Sequence, residues 1–212
     1  MKIGIVSCAI MRREMEKAIK DCPWISNAIF IEAGKHVRPK ELRETVREKI
    51  ASIKDEVDVI LLGYGVCRSL KGIEKEFDIP IVHPEGEDCI AILLTPERYH
   101  EELEKSPGTW FMTPGWAELG PQMILNELGL AQRARGLGVD QDEIIRELFA
   151  GYSRGLFIDT AVGEPDKFEQ MAKQSCDLFN LRLEKTVSDS TALEDSLAKA
   201  QIIGGQQEKK ED

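Results

Sequence analysis

Apolar and polar positions alternate along this chain in blocks. Compact apolar runs, "KIGIV" (2–6), "AIFIE" (28–32), "DVILLG" (58–63), "IPIVH" (79–83), "TWFM" (109–112) and "GLFID" (155–159), are separated by longer amphipathic stretches. The runs predict buried strands and the stretches predict helices. Their alternation predicts an α/β fold of the Rossmann-like three-layer kind, with a mainly parallel central sheet. The clearest helix follows the second strand: Pro39 stands where a first helical turn tolerates it, and Leu42, Val46 and Ile50 recur on one face. Residues 115–150 carry helical patterns punctuated by Gly129, Gly136 and Gly138, and read as a helical insertion or cover on a single domain spanning 1–200. A helix over 165–179, a short strand over 181–187 and a last helix over 191–199 complete the outline. The glycine-led polar tail 201–212 predicts disorder.

The formal net charge is −10, and no basic stripe is interleaved with aromatics, which excludes a nucleic-acid or anionic-membrane surface from the expected partners. The opening "MKIGIVSCAI" is too short an apolar run for an export signal, because Cys8 interrupts it and "MRREMEK" follows. No segment approaches the roughly 18 apolar residues of a membrane span. The expected location is cytoplasmic, so the five cysteines read as reduced thiols or metal ligands rather than disulfides.

Three cysteines share a place in the outline. Cys8 follows the first strand, Cys67 the third, and Cys89 lies a few residues beyond the fourth. All three therefore fall at the carboxyl edge of the predicted sheet, where open α/β sheets bind ligands. Cys22 and Cys176 sit in or beside helices and read as buried small hydrophobes. No C-x-x-C pair occurs, so a shared site has to be assembled by the fold from separated single thiols, with a fourth position open or filled by another side chain. His36, in "EAGKHVRP" past the second strand, and His83, ending the fourth, are candidates; His100 reads as a solvated helix residue.

The stretch "LLGYGVCRSL" (61–70) carries Cys67 between a glycine pair and an expected helix. Its glycines allow close backbone approach, and Arg68 and Ser69 at a helix start would hold an anion and favour the Cys67 thiolate. Glu85, Glu87 and Asp88 crowd Cys89 and disfavour its thiolate unless a cation is bound, which fits a metal site better than a bare nucleophile. Arg68 stands at the third glycine position of G-x-G-x-x-G, so a dinucleotide site is disfavoured. No phosphate loop, zinc-protease or nucleophile-elbow motif is present.

The ordered series "VSC", "EAGKHVRP", "LLGYGVC", "EGEDC", "GTWFMTPGW" and "LGL" resembles the DUF1638 proteins, an uncharacterised prokaryotic family, over most of residues 1–200. The family pattern has a cysteine after the first strand, a histidine in a turn before proline, a Tyr-Gly-x-Cys segment and a later His-Cys pair; Cys8, His36, Cys67 and Cys89 match it. This chain has Val37 where the family usually has asparagine, Asp88 where the pair has histidine, and "CRS" where "CGT" is common. The resemblance implies a setting beside corrinoid-dependent methyltransferases in anaerobic one-carbon metabolism.

The leading expectation is a metal-dependent protein in which Cys8, Cys67 and Cys89 hold a [4Fe–4S] cluster whose remaining iron is open or bound by His36. Arg68 would then orient a small anionic substrate, and Tyr64 would pack on it or donate a proton. The alternative metal is zinc on the same three thiolates and His36, structural if the site is closed or activating a thiol for methyl transfer if it is open. A third possibility is a non-catalytic accessory protein for a corrinoid methyltransferase, which calls for an exposed apolar patch at Trp116, Met123 or Leu130.

Overall fold

The computed structural model describes residues 1–66, 69–127, 130, 136, 138 and 140–211. The chain divides into two units, Met1–Pro96 with Asp189–Asp212, and Glu97–Ser188. In the first, β1 (Ile3–Cys8), β2 (Ile25–Ile31), β3 (Val59–Gly63) and β4 (Ile81–Val82) form a parallel sheet in the order β2-β1-β3-β4. Strands β1 and β3 are buried along their whole length, which explains why they read as continuous apolar runs.

Helices cover both faces. Ile3, Ile5, Val59 and Leu61 pack with Met15 of α1 (Arg12–Ile19) and with Leu193, Leu197 and Ala200 of the last helix. Successive strand residues point to opposite faces, so Gly4, Val6 and Cys8 look the other way. There α2 (Pro39–Ile53) covers them, so closely that a Cβ on Gly4 would lie 2.8 Å from Ile53 Cδ1. Leu42, Val46 and Ile50 are buried on α2, as its periodicity predicts. A further helix, α3 (Cys89–Leu94), is buried throughout.

The second unit has its own parallel sheet, β5 (Thr109–Met112), β6 (Arg154–Asp159) and β7 (Arg182–Val187), in the order β5-β6-β7. Around it lie α4 (Pro96–Lys105), α5 (Pro114–Glu127, broken at Gly120 where φ is 62°), α6 (Gln141–Leu148) and α7 (Pro165–Phe179). Its core joins Met112, Ile145, Phe157, Phe168, Ala172 and Cys176 to the stacked rings of Phe149 and Phe179, whose centroids are 3.8 Å apart. Trp116 and Leu130 pack against this core. His100 is exposed on α4, as expected.

The expected parallel, Rossmann-like α/β class is what forms, while three finer expectations change. The single domain with one central sheet becomes two units with separate sheets, because β5, β6 and β7 pair with one another and β1–β4 do likewise. A strand–helix alternation is the same for one large sheet or two small ones, so the pattern does not choose between them. Residues 115–150, expected as an insertion, instead supply α5 and α6 to the second unit's core. The tail expected to be disordered continues the last helix, α8 (Thr191–Glu211). Gly204 permits this by its smallness: a Cβ there would meet Met1 Cγ at 3.0 Å and Val59 Cγ1 at 3.1 Å.

Arg154 ties the second unit together. Its side chain is buried, with Nε donating to Thr109 Oγ1 at 2.8 Å and the two terminal nitrogens reaching Glu184 Oε2 and Glu102 Oε2, each at 2.7 Å. Removing the cation takes the buried partner from both carboxylates, leaving Glu102 to Lys105 and Glu184 to Arg182. Arg154→Ala is expected to lower the unfolding free energy by about 3 kcal/mol in urea titrations.

Candidate functional site

In the first sheet β1 is followed by β2 on one side, while β3 is followed by β4 on the other. The chain thus turns opposite ways after two adjacent parallel strands, and a crevice opens outside their carboxyl ends. A cavity of about 200 Å³ lies there. Cys8, the last residue of β1, and Gly63, the last of β3, both line it, and Cys89 reaches it from the start of α3. Met11, Leu42 and Tyr64 supply apolar wall, and Ser69 and Asp88 supply polar wall.

The glycines of "LLGYG" are explained by what they touch. A Cβ on Gly63 would collide with Ser7, whose Oγ donates to the Gly63 carbonyl at 3.1 Å. A Cβ on Gly65 would lie 2.5 Å from the backbone N of Asp88 and 2.5 Å from the carbonyl carbon of Glu87, so only glycine fits. The next N–H, of Val66, donates to the Gly86 carbonyl at 2.9 Å. The loop leaving β3 is therefore docked, backbone on backbone, against the loop that carries Cys89.

Asp88 caps α3: its Oδ1 accepts from Ile90 N at 2.8 Å and Ala91 N at 2.9 Å, which satisfies two otherwise unpaired donors. That cap fixes Cys89 as the first helical residue, buried against the cavity. Part of the carboxylate that the sequence sets against the Cys89 thiolate is thus engaged in capping. At Cys8, burial pushes the thiol pKa up to about 11, with a backbone hydrogen bond from Ile10 pulling weakly the other way. The bare Cys8 side chain is accordingly a neutral thiol at physiological pH, and not an activated nucleophile.

Of the predicted site residues, the structure brings Cys8, Cys89 and Tyr64 to one cavity. Cys67 and Arg68 lie outside the described residues, as does the side chain of His36, whose backbone falls in the short turn Ala33–Val37 after β2. Among the described residues, no group of three or more His, Cys, Asp or Glu is placed to hold one ion. Cys176 is in the second unit's core, and Cys22 is half-buried beside α1, its Sγ 3.7 Å from the Ala18 carbonyl. Neither lines the cavity. His83 stands 4.0 Å from Glu74, also outside the lining.

Among the described residues, no α-helix stands where one was expected after Cys67. Residues 69–72 form turns and lead into a single 3-10 turn, Ile73–Glu76, so no long helix presents its N-terminus there. The helix that does open on the cavity is α3. Its signal was an aspartate directly before an unbroken apolar run, "DCIAILL". Leu42 and Met11 are invisible as wall residues in sequence, since both read as ordinary core.

The profile of DUF1638, described as a protein of unknown function, matches residues 30–197. The chain belongs to this family. The match begins within β2, so His36, Tyr64, Cys67, Arg68 and Cys89 lie inside the DUF1638 span, and Cys8 precedes it. No curated protein matches the chain.

The raised Cys8 pKa has a measurable consequence. The native state holds this proton more tightly than the unfolded chain, so the associated stability is full below pH 9 and lost as pH rises through about 11. Comparing Cys8→Ala with the parent protein, the parent is expected to lose about 1 kcal/mol more by roughly pH 10 in denaturant titrations. Equal losses would show that the thiol is not desolvated.

Proposed function

We propose that the protein is a thiolate metal protein in which Cys8, Cys67 and Cys89 hold one [4Fe–4S] cluster at the switch point of the first sheet. The observation that carries this reading is that Cys8, from the end of β1, and Cys89, from the start of α3, line the same cavity. Cys67 stands two residues after Gly65, whose backbone is docked on Asp88 next to Cys89. The burial that makes Cys8 a poor bare thiolate suits a cation, because coordination deprotonates a thiol outright.

The space favours a cluster over a lone zinc. A zinc with sulfurs at about 2.3 Å fills little volume, whereas about 200 Å³ equals several water molecules. When bound, a cluster with three cysteine ligands supplies an iron able to take a substrate atom or His36. In this reading Arg68 orients a small anionic substrate and Tyr64, on the cavity wall, packs against it. A cytoplasmic setting belongs to the same reading, and anaerobic one-carbon metabolism and a corrinoid methyltransferase partner enter on the strength of the family resemblance alone. The accessory-protein alternative is less well supported, since Trp116 and Leu130 are packed against the second unit's core.

Anaerobic purification followed by iron and sulfide reconstitution tests the proposal. The expected product is brown, with broad visible absorbance and about four irons per chain. Cys8→Ala, Cys67→Ala and Cys89→Ala should each lose it, while a Cys22→Ala, Cys176→Ser double variant should keep it. A colourless protein with one zinc would replace the cluster by the zinc site, and protein that takes up no metal would overturn both.

A further inference from the structure

Leu42 and Arg43 are neighbours on α2, and they act on opposite sides of the cavity's edge. Leu42 is buried and forms wall. Arg43 reaches the loop beyond β3, its NH1 donating to the carbonyl of Ser69 at 3.0 Å and of Lys71 at 3.3 Å. Its NH2 pairs with Glu76, whose other oxygen accepts from Arg47 Nε at 2.7 Å. Ser69 itself lines the cavity.

We propose that Arg43, held by Glu76, is a positioning residue for the thiol cavity, fixing its Ser69 wall from α2. The loop leaving β3 is then tied at two places, at Val66 by Gly86 and at Ser69 and Lys71 by Arg43. A guanidinium suits this task because its fork serves two carbonyls and a carboxylate at once, which a lysine ammonium on a flexible stem does not reproduce. The ion pair is partly exposed, with Arg43 at 28 % and Glu76 at 29 %, so it adds little to global stability. Its effect is on geometry. This inference rests on the metal reading for its first readout and is independent of it for the second.

Two measurements on Arg43→Met, Arg43→Lys and Glu76→Gln decide it. In the reconstituted protein, Arg43→Met is expected to lower metal affinity about tenfold or more, as loss of an outer-sphere partner does, with thermal stability near that of the parent. In the metal-free folded protein, a small alkylating reagent should modify Cys89, which is buried and lines the same cavity as Ser69, severalfold faster in Arg43→Met, with Cys176 unchanged. Arg43→Lys should behave like Arg43→Met, and Glu76→Gln should shift both readouts in the same direction by less. Parent-like affinity and alkylation in Arg43→Met would overturn the proposal. So would a uniform rise in the reactivity of all cysteines accompanied by a lowered melting temperature, which marks general loosening. If the parent protein binds no metal, the metal reading falls and the alkylation rates alone judge Arg43.

Discussion

The site depends on one close approach between two backbones. Gly65, just past β3, lies against the peptide joining Glu87 to Asp88, and any side chain at that position would occupy space already filled by main chain. This contact brings the end of a buried strand to the cap of α3 and so sets Cys89 facing the end of β1. The apolar character of β1 and β3 follows from burial on both faces, and the cavity exists because the connections after them diverge. The hydrogen bond from Val66 to the Gly86 carbonyl joins the same two loops beside this contact.

Much of the fold was legible because it depends on local pattern. Apolar runs located six of the seven strands among the described residues to within a few residues, "TWFM" coinciding with β5, and the short strand expected over 181–187 is β7. The four-residue recurrence of Leu42, Val46 and Ile50 found α2. What local pattern does not contain is strand adjacency, so the division into a four-stranded and a three-stranded sheet could not be read from it. The tail was misleading for a related reason. Its glycines look like helix breakers until Gly204 is seen packed against Met1 and Val59, a contact between the two ends of the sequence.

The candidate site was legible to the same degree. That Cys8 and Cys89 fall at one sheet edge follows from strand ends, and strand ends follow from pattern. The roles of Gly65, Asp88 and Arg43 are different in kind. Gly65 is required by a chain segment more than twenty residues away, Asp88 serves a helix hidden inside an apolar run, and Arg43 acts across from α2 on two carbonyls that no sequence pattern marks. These residues shape the cavity while the cysteines give it chemistry. A neutral, desolvated Cys8 makes sense in such a place only as a buried thiol or as a ligand awaiting a cation.

X-ray absorption at the metal edge, on protein loaded without oxygen, tests shared ligation most directly. Ligation by Cys8, Cys67 and Cys89 predicts a first shell dominated by sulfur at about 2.3 Å, with the cysteine contribution lost in Cys8→Ala and in Cys89→Ala alike. A first shell of oxygen or nitrogen at about 2.0–2.1 Å, unchanged in both variants, would contradict it.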